Sequence, residues 1–137
     1  MAEKILVIDD EMDMLMMLRM LIEENTEHRV ETTNNPSEAL QRLNSESFDL
    51  VITDLKMPGI DGMELFAEIR KTVPHLPVIL ITAYGSQEVA DEAIREGISD
   101  FITKPFKKDR ILFSIQRSLE LSRLRQENEK LKGKLDK

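Results

Sequence analysis

The chain has 137 residues, no cysteine, and a net charge of −7, which gives one domain with its own core and excludes disulfides, thiolate catalysis and zinc–thiolate sites. The acidic balance argues against direct nucleic-acid binding. The start, MAEKILVIDD, turns acidic at once and is no signal peptide, and no apolar run approaches the ~18 residues that span a membrane, so a cytoplasmic domain is expected.

Lys4–Ile8 reads as the first strand, and a helix follows from about Met12 to Glu24. His28–Thr32 is a short, half-polar strand suited to a sheet edge. Asn34-Asn35-Pro36-Ser37 makes a turn and a cap, opening a helix through Leu43. Phe48–Thr53 is the most apolar strand. Met57-Pro58-Gly59 breaks the chain, and Asp61 or Gly62 opens a helix to about Lys71. Pro74 and Pro77 bracket a loop before the strand Val78–Thr82. Ser86 caps a helix running to Arg95, which Gly97 stops. Phe101–Thr103 is the fifth strand, ended by Lys104-Pro105, and from Lys107 onward no proline appears. Strand and helix alternate five times, which predicts a parallel five-stranded sheet with helices on both faces and an extended C-terminal helix.

The two-layer pattern stops near Leu119. Residues 1–119 are read as the globular domain and 120–137 as a helical coiled-coil linker. Leu121, Leu124, Asn128, Leu131 and Leu135 follow heptad spacing, with Leu121, Asn128 and Leu135 at a and the other two at d. Glu120 and Glu127 at g then face Arg125 and Lys132 at e of a parallel partner, which points to a homodimer. An Asn at an a position fixes two-stranded register. A merely solvated helix end is the plainer alternative over so short a repeat.

Asp9, Asp10, Asp54, Thr82 and Lys104 each stand at or just past the end of an apolar strand. In an open α/β sheet those ends line one crevice. Two carboxylates ~4 Å apart repel by roughly 4 kcal/mol at an effective dielectric of 20. Three together call for a divalent cation, and the lysine and hydroxyl call for an anion beside it. A carboxylate held there acts as a nucleophile toward phosphorus, with Mg²⁺, Lys104 and Thr82 taking up phosphoryl charge. Each residue alone has an ordinary role as helix cap, strand end or surface lysine. Their joint placement at four strand ends is what favours the site.

The segments ILVIDDE (5–11), DLVITDLKMPGIDGMEL (49–65), VILITAYG (78–85) and DFITKPF (100–106) resemble the receiver domain of two-component response regulators over about residues 3–120. The resemblance implies a (βα)5, flavodoxin-like and CheY-like fold, and phosphotransfer from the phosphohistidine of a sensor histidine kinase. It makes Asp54 the phospho-acceptor. It places Asp10, Asp54 and the backbone carbonyl of Lys56 on Mg²⁺, with Asp9 acting through water. Thr82 and Phe101 resemble the family's switch pair, and Lys104-Pro105 its cis peptide. Lys56 and Tyr84 occupy positions that tune phosphoryl lifetime. Tyr84, Gly85 and the charged tail resemble the NtrC-like branch, which works with the sigma-54 form of RNA polymerase through output domains whose motifs this chain does not show.

The expected role is therefore a signalling module rather than an enzyme with a released product. The alternative is a Mg²⁺-dependent aspartyl-phosphate phosphohydrolase. It calls for a second acid two residues after the nucleophile, where Lys56 stands. A flavin-binding flavodoxin is opposed by the acidic loop after the first strand, which repels phosphate. Five methionines crowd the first helix. Met12 and Met16 are read as core filler, and Met14 and Met17 as equally core or kinase-facing. His28 and His75 are read as surface loop residues.

Overall fold

The structure, a computed structural model, describes residues 3–57, 59–83 and 85–135, with side chains described as far as residue 127. Tyr84 and the side chains of Asn128, Leu131 and Leu135 lie outside the described residues. Strands β1 (Lys4–Ile8), β2 (Arg29–Thr33), β3 (Leu50–Asp54), β4 (Val78–Thr82) and β5 (Asp100–Thr103) alternate with helices α1 (Met12–Asn25), α2 (Pro36–Ser45), α3 (Gly62–Thr72), α4 (Gln87–Glu96) and α5 (Lys108–Leu135). The strands form one parallel sheet in the order β2-β1-β3-β4-β5. The half-polar β2 takes an edge, as its composition requires, although it begins one residue later than the sequence reading placed it.

Strand alternation sorts the core into two layers. Leu6, Ile8, Val51, Val78 and Leu80 pack with α2, α3 and α4 through Ala39, Leu65, Ile69 and Ala93. Ile5, Val7, Leu50, Ile52, Ile79 and Ile81 pack with α1 and α5 through Leu15, Leu18, Ile22, Ile111 and Ile115. The central strands are apolar along their whole length because both faces are covered. The Asn35, Asp61 and Ser86 side chains accept from backbone N–H groups in the first turns of α2, α3 and α4, and Gly97 closes α4 at φ 112°. That left-handed cap suits glycine because it carries no Cβ.

The Asp61 cap starts the helix that follows the loop after β3. Asp61→Ala should cost about 1 kcal/mol. Urea denaturation checks this, and an unchanged midpoint would show that the cap bond, 2.8 Å from Glu64 N to Asp61 Oδ1, is replaced by solvent.

The methionine reading of α1 needs correction. Met12 and Met16 are 59 % and 60 % exposed, whereas Leu15, Leu18 and Ile22 are buried. At 3.6 residues per turn the leucine stripe alone meets the sheet, and Met12, Met16 and Met20 fall on a separate stripe, four residues apart, that faces solvent. Met14 is partly buried against the α1–α5 layer, and Met17 is exposed. His28 is half-buried, and its Nδ1 accepts from Glu3 N at 3.1 Å, so it is not a free loop residue. Its burial lowers its pKa from the ordinary imidazole value.

Helix α5 runs unbroken through 28 residues. Ile111, Ile115 and Leu119 bury it against the sheet, and beyond them Leu121 and Leu124 are exposed.

Candidate functional site

The strand register assembles the site. Ile8 pairs with Thr53, which sets Asp9 beside Asp54. Asp54 pairs with Ile81 and Thr82 with Thr103, which brings Thr82 and then Lys104 to the same end of the sheet. Asp9 and Asp54 are buried at 2 % and 6 % exposure, Thr82 is fully buried, and Asp10 is exposed.

Lys104 Nζ lies 2.7 Å from Asp54 Oδ2 and 3.5 Å from Asp9 Oδ2. The lysine is aimed by its own backbone: its N–H donates to the Thr82 carbonyl at 2.8 Å, and the Lys104–Pro105 peptide is cis, as expected. Asp54 Oδ1 accepts from Lys56 N at 2.9 Å, and Asp9 Oδ1 accepts from Glu11 N at 2.9 Å. Each buried carboxylate thus has one oxygen fixed by backbone and the other turned toward the lysine. Burial pushes the Asp9 carboxyl up to about 6, against the lowering pull of the Glu11 N–H and of Lys104. The two carboxylates hold the Lys104 ammonium above the ordinary lysine value, although burial opposes them.

Asp9, Asp10 and Asp54 each offer an oxygen, and these atoms lie within 4.8 Å of one another. Opposite corners of a Mg²⁺ octahedron stand ~4.2 Å apart. A small inward movement of these hard oxygen donors therefore fits the ion.

Counting by two along the strands puts Thr82 on the face of Leu80, toward α4, and Phe101 is partly buried against that same layer. The site thus has its charged groups over one face and its expected switch pair over the other.

Two glycines matter more than the sequence reading recognised. A Cβ on Gly62 would come within 2.7 Å of the Asp54 carbonyl oxygen and 2.9 Å of Leu80 Cδ2. Gly62 N donates to the Leu55 carbonyl at 2.7 Å, so α3 begins pressed against the strand that carries Asp54. A Cβ on Gly85 would come 2.5 Å from Phe101 Cε1 and 2.9 Å from Thr103 Cγ2. Neither glycine has a positive φ. Space, not backbone conformation, demands them, and the only sequence signal was a glycine just before or at a helix start.

The profile of the response regulator receiver domain matches residues 5–116. The chain belongs to the response regulator receiver domain family. This receiver is 42 % identical over 118 residues to the transcriptional regulatory protein GlrR of Escherichia coli strain K12, covering 86 % of this chain and 26 % of that one. Against the crystal structure of NtrX from Brucella abortus in complex with ATP it gives a TM-score of 0.88 at 39 % identity, covering 96 % of this chain and 30 % of NtrX. Against the beryllofluoride-activated NtrC4 receiver domain dimer the TM-score is 0.82 at 31 % identity, covering 87 % of this chain and 98 % of that one. The receiver spans about a quarter of the length of the curated relative GlrR. The NtrC-like resemblance read from the Tyr84-Gly85 pair and the tail agrees with these relatives, and the CheY-like five-stranded fold is the one observed.

Proposed function

We propose that Asp54 accepts a phosphoryl group from the phosphohistidine of a sensor histidine kinase. Asp9, Asp10, Asp54 and the Lys56 carbonyl would hold Mg²⁺. The observation that carries this reading is Lys104 Nζ at 2.7 Å from Asp54 Oδ2 beside the three-carboxylate group. A carboxylate oxygen of Asp54 attacks phosphorus, an O–P bond forms, and the N–P bond to the kinase imidazole breaks. The departing nitrogen keeps the electron pair, and the ring leaves as neutral imidazole with a proton on its other nitrogen. Mg²⁺, when bound, offsets the carboxylate repulsion and holds phosphoryl oxygens in line. Lys104 follows the charge from Asp54 onto a phosphoryl oxygen, and the Thr82 hydroxyl donates to another. Phe101, on the Thr82 face, responds by turning further inward. Lys56 and Tyr84 set how readily water reaches the phosphoryl group.

The exposed Met12–Met16–Met20 stripe on α1 supplies an adaptable apolar surface for the kinase. Leu121 and Leu124, exposed on α5, continue into the heptad of residues 128–135 and support a homodimer. The NtrC4 receiver, described as a dimer, is consistent with that. The output we propose is control of transcription, with the sigma-54 form of RNA polymerase, through a domain beyond this span. No observation favours the phosphohydrolase alternative.

Acetyl phosphate with Mg²⁺ should add one hydroxylamine-labile phosphate to the parent. Asp54→Asn, or the parent with EDTA, should take none. Uptake by Asp54→Asn, or label mapped elsewhere, would refute the assignment. Sedimentation with beryllofluoride and Mg²⁺ then reads whether occupancy of the site makes or breaks the dimer.

A further inference from the structure

At the end of the sheet opposite Asp54, where the chain enters β4 and β5, a cavity of about 410 Å³ opens beneath the root of the α5 extension. That volume lies in the range of small-molecule sites. Its polar lining comes from Arg70, Arg125, Ser99, Ser118 and Ser122, with His75 among the loop residues, and no Asp or Glu among the described residues lines it. In a chain of net charge −7, a cavity that the described residues line with two guanidinium groups and no carboxylate is an inversion of the general charge balance.

The Arg70 guanidinium is held in place. It lies over the Phe66 ring at 5.6 Å, donates to the Glu96 carbonyl, and rests against Gly97, where a Cβ would meet its Nη1 at 3.2 Å. The carbonyl engages one of five N–H donors. Arg125 reaches the cavity from α5 beyond Leu119. Neither arginine forms an ion pair among the described residues. Ser118 is 4 % exposed and still lines the space. Two cations lining one cavity repel each other, and an anion between them reverses that cost. Both arginines are exposed, as surface arginines ordinarily are. The fixed position of Arg70 and the buried hydroxyl are what set this pair apart.

We infer that this cavity binds a small multivalent anion, a phosphate- or polycarboxylate-bearing metabolite, bridging Arg70 of α3 to Arg125 of α5. Leu121, the first residue of the heptad seam, lines the same cavity. An occupant therefore clamps the root of α5 to the domain at the point where the dimer seam begins. The inference does not depend on the phosphoryl-acceptor reading, and its test is run without Mg²⁺ in Asp54→Asn so that the acidic site stays silent.

The test is an amide NMR titration of the full chain with inorganic pyrophosphate and, separately, with citrate. The expected result is saturable movement of the Gly97, Ser99 and Ser122 signals, weakened by salt. Arg125→Gln, and Arg70→Lys, which keeps charge but loses the planar fork, should each weaken binding about tenfold or more. Arg95→Gln, on α4 but not in the cavity wall, should leave it unchanged. Saturation by pyrophosphate alone would assign a phosphorylated ligand, and by citrate alone a carboxylate. No saturation by about 10 mM, or equal shifts across all basic residues that survive Arg125→Gln, would mean an adventitious ion only and overturn the inference.

Discussion

Lys104→Met will leave a receiver whose stability depends on Mg²⁺ far more than the parent's does. The lysine is the compensating charge for two carboxylates that are 2 % and 6 % exposed, and its own side chain is only 15 % exposed. Removing one partner of a buried pair typically costs 3–5 kcal/mol. Asp9 relieves part of that by taking up a proton, since it already titrates at about 6 with the lysine present. A loss of about 2–3 kcal/mol at neutral pH without metal is expected. Added Mg²⁺ should restore most of it, because the ion replaces the missing positive charge.

The pH dependence has a definite sign. The folded pKa of Asp9 lies above its ordinary 3.8, so its stabilising contribution is complete below that value and is lost as pH rises through about 6. Metal-free Lys104→Met should therefore regain stability as pH falls from 7 toward 5. Urea denaturation of parent and variant, with and without Mg²⁺, measures both effects. A variant with the parent's metal increment would mean that Lys104 contributes no net charge compensation.

Gly85→Ala will fold but will displace the Phe101 ring. The new Cβ would stand 2.5 Å from ring carbon Cε1, a separation no packed pair keeps. The ring is the end of a side chain that rotates about χ1, so it can leave at a cost of about 1–3 kcal/mol. The effect should fall on the proposed Thr82–Phe101 switch rather than on the carboxylates. Phosphoryl uptake at Asp54 should persist, while the coupled change at Phe101 should be altered because the ring is driven from its present position. Fluorine NMR of labelled phenylalanine reads the ring directly, and sedimentation with beryllofluoride reads its consequence. An unchanged Phe101 signal in Gly85→Ala would show that the backbone of the loop yields instead.

The strands and the charged residues were legible in the sequence because each depends on local pattern. Apolar runs of five mark strands covered on both faces, and a polar residue at the end of such a run falls at the crevice by topology alone. The Ser86 cap, a cap within Asn34-Asn35-Pro36-Ser37, and a helix start at Asp61 or Gly62 were legible for the same reason. What the sequence hid is what only packing decides. Met12 and Met16 looked like core because methionine is apolar, yet one stripe of leucine and isoleucine already fills the space beneath α1. Gly62 looks like a helix start and Gly85 like a loop residue until the Asp54 carbonyl and the Phe101 ring are placed against them. Arg70 and Arg125 are 55 positions apart and share a cavity only because α3 and α5, on opposite faces of the sheet, both run toward the end where β4 and β5 begin.

Helix α5 is also a lever. It is one rod of 28 residues, about 42 Å long, with its fulcrum near Leu119. The arm beyond the fulcrum is about 24 Å, so a tilt of about 5° at the root sweeps the far end through about 2 Å. A displacement too small to notice beside β5 becomes, at the tip, large enough to decide whether the two arms of the proposed dimer meet.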